Sequence, residues 1–239
     1  MKIVDCFWED KNLGVKTAEI SINQTYAINL SEFKELEKQW DYIVVKCIEP
    51  NMETFQQLSC MFYSFIETQI TLEKDLVITH IDNSIQIELA LTTEDIFFVT
   101  ERINEGLFNT DRIALDPLFG IRIANTRYIN WLLDEIKRGA KLLNLKKDGE
   151  KVGFILLKED NQTIDVILHG IYKQYQKQHL GSLLAICPTI YVQKFNPNIK
   201  HYQTKVSSNN PGILRIMTKY GYMVTDISYV FVKHSKREQ

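Results

Sequence analysis

Acidic side chains are missing from one long stretch of this sequence. Between Asp165 and Asp226 there is no Asp or Glu, while Lys173, Lys177, Lys194, Lys200, Lys205, Arg215 and Lys219 all fall there. The stretch is either an accident of a Lys- and Asn-rich composition or a surface that holds a small polyanion such as a nucleotide or coenzyme. A global excess of basic charge is also missing: 28 basic side chains face 30 acidic ones, for a net charge of -2. That balance argues against nucleic acid as a partner. Cysteine is scarce. Cys6, Cys47, Cys60 and Cys187 make no CxxC pair and sit too far apart for a disulfide framework or a zinc knuckle. They read as reduced thiols of a cytoplasmic protein, with no metal expected. The longest mostly apolar run, Leu180 to Val192, is broken by Gly181, Ser182 and Pro188, so neither a transmembrane helix nor a membrane partner is expected. Met1 to Asp5 carries no apolar run of the kind that opens a signal peptide.

What is present suits a folded chain with a sizeable core: 239 residues, 45% hydrophobic and 11% aromatic. The second part, 84–239, reads as mixed α/β. Ser84 to Leu91 alternates like a half-buried strand. Thr92 and Asp95 have capping-box spacing before a helix carrying Ile96, Val99 and Ile103 inward. After a loop, a second helix spans roughly Ile123 to Lys137, with Tyr128, Trp131, Leu132 and Ile136 on one face. Lys141–Leu145 and Val152–Lys158 form a hairpin around Asp148-Gly149. Strands are expected at Thr163–Ile171, Lys200–Ser207 and Ser228–Lys233, the last closing the sheet. Helices are expected at Ser182–Gln193, where Pro188 is a possible kink, and at Pro211–Tyr220, capped by Asn210 and ended by Gly221. The first part, 1–83, reads as a smaller α/β domain. It has strands at Thr17–Ile22 and Tyr42–Ile48 and helices at Ser31–Gln39 and Met52–Phe62. The boundary is placed near Asn83, although no Gly/Pro/Ser-rich linker marks it.

The segment Ile171 to Leu184 carries the most chemistry. A strand ends, a short polar loop turns, and a helix begins at Gly181. Such a loop aims several free backbone N–H groups at one spot, at the positive end of the helix dipole, which suits a pyrophosphate. Gly181 leaves room for an anion to approach the backbone, and Lys173 and Lys177 add charge. Most strand–glycine–helix turns are purely structural, so the turn alone does not decide.

Gln176-Lys177-Gln178-His179-Leu180-Gly181 resembles the acetyl-coenzyme A motif Q/R-x-x-G-x-G/A of the GCN5-related N-acetyltransferases, with His179 in place of its first glycine. Other elements follow in that family's order over Ser84 to Lys233, including Thr93-Glu94-Asp95 and the stretch from Asn210 to Gly221-Tyr222. Within the family the chain looks most like the dTDP-fucosamine acetyltransferase group. Phe7 to Val15 resembles that group's W-[DE]-x(4)-G segment, and Phe108 to Pro117 its F-x-x-x-R-x-x-x-D-P segment.

The resemblance implies a fold of class α/β (α+β): a mixed, mostly antiparallel twisted sheet flanked by helices, plus the smaller N-terminal α/β domain. It implies acetyl-CoA as co-substrate, without a metal, held by Ile171, Gln176, Lys177, Gln178, His179, Leu180, Gly181, Ser182 and Asn210. Two neighbouring strands of the family part, and the pantetheine arm lies along the segment that matches Leu168 to Ile171. Gly170 marks either a bulge or a close approach there, or merely the strand's end. The acceptor implied is a primary amine on a nucleotide-linked amino-deoxy sugar for surface polysaccharide, with Arg112 and free lysines as phosphate contacts, and Trp8 and Phe119 as stacking or core residues. Homodimerisation through edge strands is also implied.

The amine must lose a proton before it attacks a thioester. Asp165 and His169 are the candidate acceptors, His169 having the better intrinsic pKa; water-mediated removal is the alternative. The position of the family's thiolate-protonating tyrosine is Met217, which cannot donate a proton. Tyr220, one turn further on, is the candidate donor, or else a packing residue. His169 and Tyr220 are thus the candidate catalytic pair. The rival readings are a non-catalytic acyl-CoA-binding module and an acyltransferase for another amine or acyl donor.

Overall fold

The computed structural model of this protein describes residues 2–23, 30–48, 52–76 and 84–235. The boundary expected near Asn83 lies outside them. Contacts divide the chain into two compact units, one of Met1–Ile70, Ser207–Asn209 and Asp226–Gln239, the other of Thr71–Val206 and Asn210–Thr225. Among the described residues no helix is long and apolar enough to cross a membrane.

The first unit holds β1 (Lys2–Asp5), α1 (Phe7–Leu13), β2 (Thr17–Ile22), α2 (Leu30–Glu37), β3 (Tyr42–Ile48) and α3 (Met52–Cys60). It also takes the first half of β4 (Ser64–Asp75) and most of β10 (Met223–His234). Its strand order is β1-β2-β3-β10-β4. β2 and β3 are parallel, while β1 runs antiparallel to β2 and β10 antiparallel to β3. Alternate residues Ala18, Ile20 and Ile22 of β2 and Ile43, Val45 and Cys47 of β3 meet Phe33, Leu58 and Phe231 in one core. The last strand was expected to close the sheet; it lies inside it, between β3 and β4. Helix α3 stops at Cys60, short of the expected Phe62, because Phe62 takes a left-handed φ of 62°.

The second unit carries β5 (Ile85–Leu89), α4 (Thr93–Asn104), a single helical turn α5 (Arg112–Leu115), α6 (Gly120–Lys137), β6 (Lys141–Lys147), β7 (Glu150–Asp160) and β8 (Thr163–Ile171). Helix α7 (Ser182–Phe195), β9 (His201–Ser207) and α8 (Pro211–Lys219) follow. The strand order is β4-β9-β8-β7-β6-β5, a mixed sheet in which β5 to β8 are antiparallel and β8–β9 is parallel. The local signals act as expected. Thr92 accepts from the Asp95 N–H at 3.1 Å. Asp148 and Gly149 take φ of 50° and 85°, as a two-residue hairpin turn needs. Asn210 caps α8 by accepting from the Ile213 N–H at 3.3 Å. In α6 the four-residue spacing of Ala124, Tyr128 and Leu132 makes a buried stripe, of which Tyr128 and Leu132 pack with Val99 and Ile103 of α4 on Leu142, Phe154 and Leu156 of the sheet. At the outer edge, the Lys194 ammonium of α7 donates to the Ile87 carbonyl of β5 at 3.0 Å.

Two glycines bring β7 and β8 unusually close. A Cβ on Gly153 would lie 2.4 Å from the Gly170 carbonyl oxygen. Backbone cannot yield as a side chain can, so Gly153→Ala should lower unfolding stability by about 2–3 kcal/mol, near the upper range of overpacking costs. A urea midpoint unchanged from wild type would refute that packing.

Candidate active site

Strand β8 pairs with β9 only over Thr163–Val166, opposite His201–Thr204. At the last pair the Thr204 hydroxyl donates to the Val166 carbonyl at 3.0 Å, filling the ladder with a side chain where the strands part. From Leu168 to Ile171, β8 keeps its β7 partner but has no β9 partner. The register shifts here too: Leu157 faces Val166 and Leu156 faces Leu168, so Ile167 is the extra residue of a bulge. The bulge is therefore at Ile167 rather than at Gly170. Gly170 marks a close approach: a Cβ there would meet the Leu107 side chain at 2.9 Å.

The unpaired segment leads into Tyr172, a 3-10 turn at Lys173–Tyr175, and then the loop before α7. Gln176 ties the loop to the strand by donating to the Ile171 carbonyl at 3.1 Å, and Gln178 donates to the Gln174 carbonyl at 2.9 Å. Lys177 and His179 both take left-handed φ, 61° and 60°. His179 thus adopts the conformation that a glycine at its motif position adopts without strain. Alternation of this kind points successive N–H groups to one side, as in an anion-binding nest. Among the described residues, the backbone N–H groups of Lys177 to Ser182 donate no hydrogen bond to the protein. They stand at the N-terminus of a 14-residue helix, where the dipole favours negative charge.

Gly181 has a packing role beside the one expected. Its φ of -56° suits any residue. A side chain here would meet Ile216 of α8, whose Cδ1 would lie 2.5 Å from an added Cβ and would have to shift. The glycine lets α8 press against the mouth of α7. Lys177 is exposed beside the loop, whereas the Lys173 ammonium is taken up by the Glu105 carbonyl.

The two candidate catalytic side chains are placed apart from each other in role. On β8, Leu168 joins the core under α4 and α6 and Gly170 faces Leu107, so alternation puts His169 on the opposite face. Its Nδ1 is buried without a hydrogen-bond partner. Burial disfavours the charged ring and pushes its pKa down to about 4, leaving it neutral at pH 7. Asp165 lies before the bulge, where β9 still pairs, and partial burial raises its pKa against the pull of Lys205 and Lys158. Tyr220 follows the last turn of α8 and is half-buried. Its N–H bonds to the Ile216 and Met217 carbonyls at 3.1 and 3.0 Å, and its own carbonyl accepts from Lys74 at 2.7 Å. Met217 is wholly buried and belongs to the core. Arg112 is buried too, so it is no open phosphate contact. Sequence reasoning passed over Thr204, Ile167 and Leu107. The pair of glycines in adjacent strands, Gly153 and Gly170, was the available sign of a close approach.

No protein-family model matches this chain, and no curated protein matches it in sequence. Solved structures match it in fold. A GCN5-related N-acetyltransferase from Kribbella flavida has 11% identity and a TM-score of 0.58, covering 91% of this chain and 81% of its own. A tandem GNAT protein from the clavulanic acid biosynthesis pathway has 11% identity and a TM-score of 0.56, covering 93% and 76%. A GCN5-related N-acetyltransferase from Sphaerobacter thermophilus has 12% identity and a TM-score of 0.55; the match covers 81% of this chain but only 60% of that one. The fold is that of the GCN5-related N-acetyltransferases.

Two measurements probe this geometry. The His169 pKa is lower folded than unfolded, so its contribution is complete above about pH 6.5 and is lost as pH falls toward 4, worth up to about 3 kcal/mol. His169→Leu should remove that component from the pH dependence of urea unfolding; parallel curves for the two proteins would refute the burial. His179→Gly should relieve left-handed strain and stabilise by about 1 kcal/mol. A lower melting temperature for the glycine variant would contradict the backbone described.

Proposed function

We propose that this protein is an N-acyltransferase that takes acetyl from acetyl-CoA and passes it to a primary amine. One observation carries the reading. Six consecutive backbone N–H groups without protein acceptors open α7, directly after a strand segment that has lost its neighbour. The named neighbours of the fold are N-acetyltransferases, which supports acyl transfer in general.

Acetyl-CoA, when bound, supplies a thioester carbonyl open to attack by an amine. The N–H groups of Lys177, Gln178, His179, Leu180, Gly181 and Ser182 hold the pyrophosphate, with Lys177 adding charge. Gln176 keeps the loop at its station on Ile171. The free edge of β8 from Leu168 to Ile171 pairs with the extended arm as a further strand and offers a backbone N–H to the developing oxyanion. Asn210 caps α8, whose Ile216 backs the loop. His169 is the candidate proton acceptor and Tyr220 the candidate donor to the departing thiolate. With so low a pKa, His169 stays deprotonated over the working range, so any limb due to it falls near pH 4 rather than 6.5. The nucleotide-linked amino sugar is the acceptor suggested by the resemblance of Phe108 to Pro117.

The test is binding and turnover together. Acetyl-CoA should raise the melting temperature by mass action, and Gly181→Leu should abolish the shift by displacing Ile216 and the loop. Free thiol should then appear with an amine panel. A thermal shift without turnover of any amine leaves a coenzyme-binding module; no shift at all removes the reading.

A further inference from the structure

Resting on the acyl-transfer reading above, we infer that Thr204 is a positioning residue of the reaction: its hydroxyl fixes where β8 leaves β9, and so where a thioester held by the loop meets the strand. The buried positions of β9 alternate as Tyr202, Thr204 and Val206, exposed by 0%, 2% and 7%. Packing at the middle position asks only for volume and shape, which a valine would supply. A hydroxyl buried there costs desolvation that a valine would not, unless it has a partner. Its partner is the Val166 carbonyl at 3.0 Å, at the last pair of the β8–β9 ladder. The next residue of β8, Ile167, is the bulge, and the free edge begins at Leu168. A polar atom thus stands at the level of the sheet where an apolar one would leave the fork unfastened.

The β9 side of this contact is anchored to the helix that carries the loop. Two residues before Thr204, the Tyr202 ring meets the Tyr222 ring edge-on, with centroids 4.6 Å apart. The Tyr222 hydroxyl donates to the Ala185 carbonyl, in the first turn of α7, at 2.8 Å. A short chain of contacts therefore runs from the mouth of α7 through Tyr222, Tyr202 and β9 to the Thr204 hydroxyl and the Val166 carbonyl. It joins the two halves of the proposed site, the amides of Lys177–Ser182 and the edge Leu168–Ile171, by a route separate from the loop between them. A coenzyme gripped by those amides presents its carbonyl to a strand N–H only where that separation is fixed. Thr204 touches neither half. It acts through Val166, so its loss alters how the carbonyl is presented and not how the pyrophosphate is gripped.

Thr204→Val keeps the volume and removes the hydroxyl, whereas Thr204→Ser keeps the hydroxyl. Thiol release from acetyl-CoA is followed with the amine of the panel that wild type turns over fastest. In Thr204→Val, kcat should fall by about 10- to 100-fold, the scale of a reacting group misplaced by about 1 Å. KM for acetyl-CoA should stay within about twofold, because ground-state binding is untouched. Thr204→Ser should recover most of kcat. Hydrogen exchange of the Leu168–Ile171 amides with acetyl-CoA bound should be faster in Thr204→Val and return toward wild type in Thr204→Ser. A Thr204→Val kcat within about twofold of wild type overturns the inference while the acyl-transfer reading stands. So does unchanged exchange, a KM that rises as far as kcat falls, or a serine variant no better than the valine one, since each marks a merely structural contact. If wild type binds acetyl-CoA but turns over no amine, the acyl-transfer reading falls and the inference falls with it.

Discussion

The parting of β8 from β9 after Val166 and Thr204 governs the second unit. A strand that leaves its neighbour abandons a row of hydrogen bonds, and each lost bond must find a substitute. Part of the answer is local. Thr204 supplies a hydroxyl to the Val166 carbonyl, and the extra residue Ile167 turns the strand at the same level. The other side of β8 stays clamped, because Gly153 and Gly170 let β7 follow it to Ile171. The strand is held firmly on one edge and left unsatisfied on the other. Only the unsatisfied edge is available to a ligand.

The loop that follows continues the same theme. Lys177 and His179 accept a backbone conformation that costs a non-glycine residue about 1–2 kcal/mol. The return is a run of amides that face outward from the mouth of α7. Strain of this kind persists where the surroundings impose it. Here Gln176 and Gln178 fasten the loop to its own start, and Ile216 occupies the space over Gly181. Gly181, which the sequence presents as an anion contact, also sits where α8 meets the mouth of α7.

Much of the second unit was legible because its local signals agree with its packing. Strand Thr163–Ile171, the Asp148-Gly149 turn, the Thr92 and Asn210 caps and the stripe on α6 follow from residue type and spacing alone. The first unit was less legible. Strand β4 went unforeseen because its fully buried positions include Glu67 and Thr71, so polarity does not report which face is inside. Strand β1 is too short and too exposed to show a period, and α1 has only seven residues, four of them polar in a row. Nor can a linear reading place β10 between β3 and β4, since that position is a matter of distant pairing. At the candidate site, the loop was found by its residues, but the left-handed His179, the bulge at Ile167 and the desolvated His169 depend on the surrounding fold.

Lys194 has a consequence beyond its own helix. Its ammonium already satisfies the Ile87 carbonyl on the outermost strand of the second unit. A foreign strand arriving to extend the sheet along β5 would have to displace that ammonium from the carbonyl. Assembly by ladder growth is thus disfavoured on that border, so the protein guards itself there against runaway fibre-like stacking.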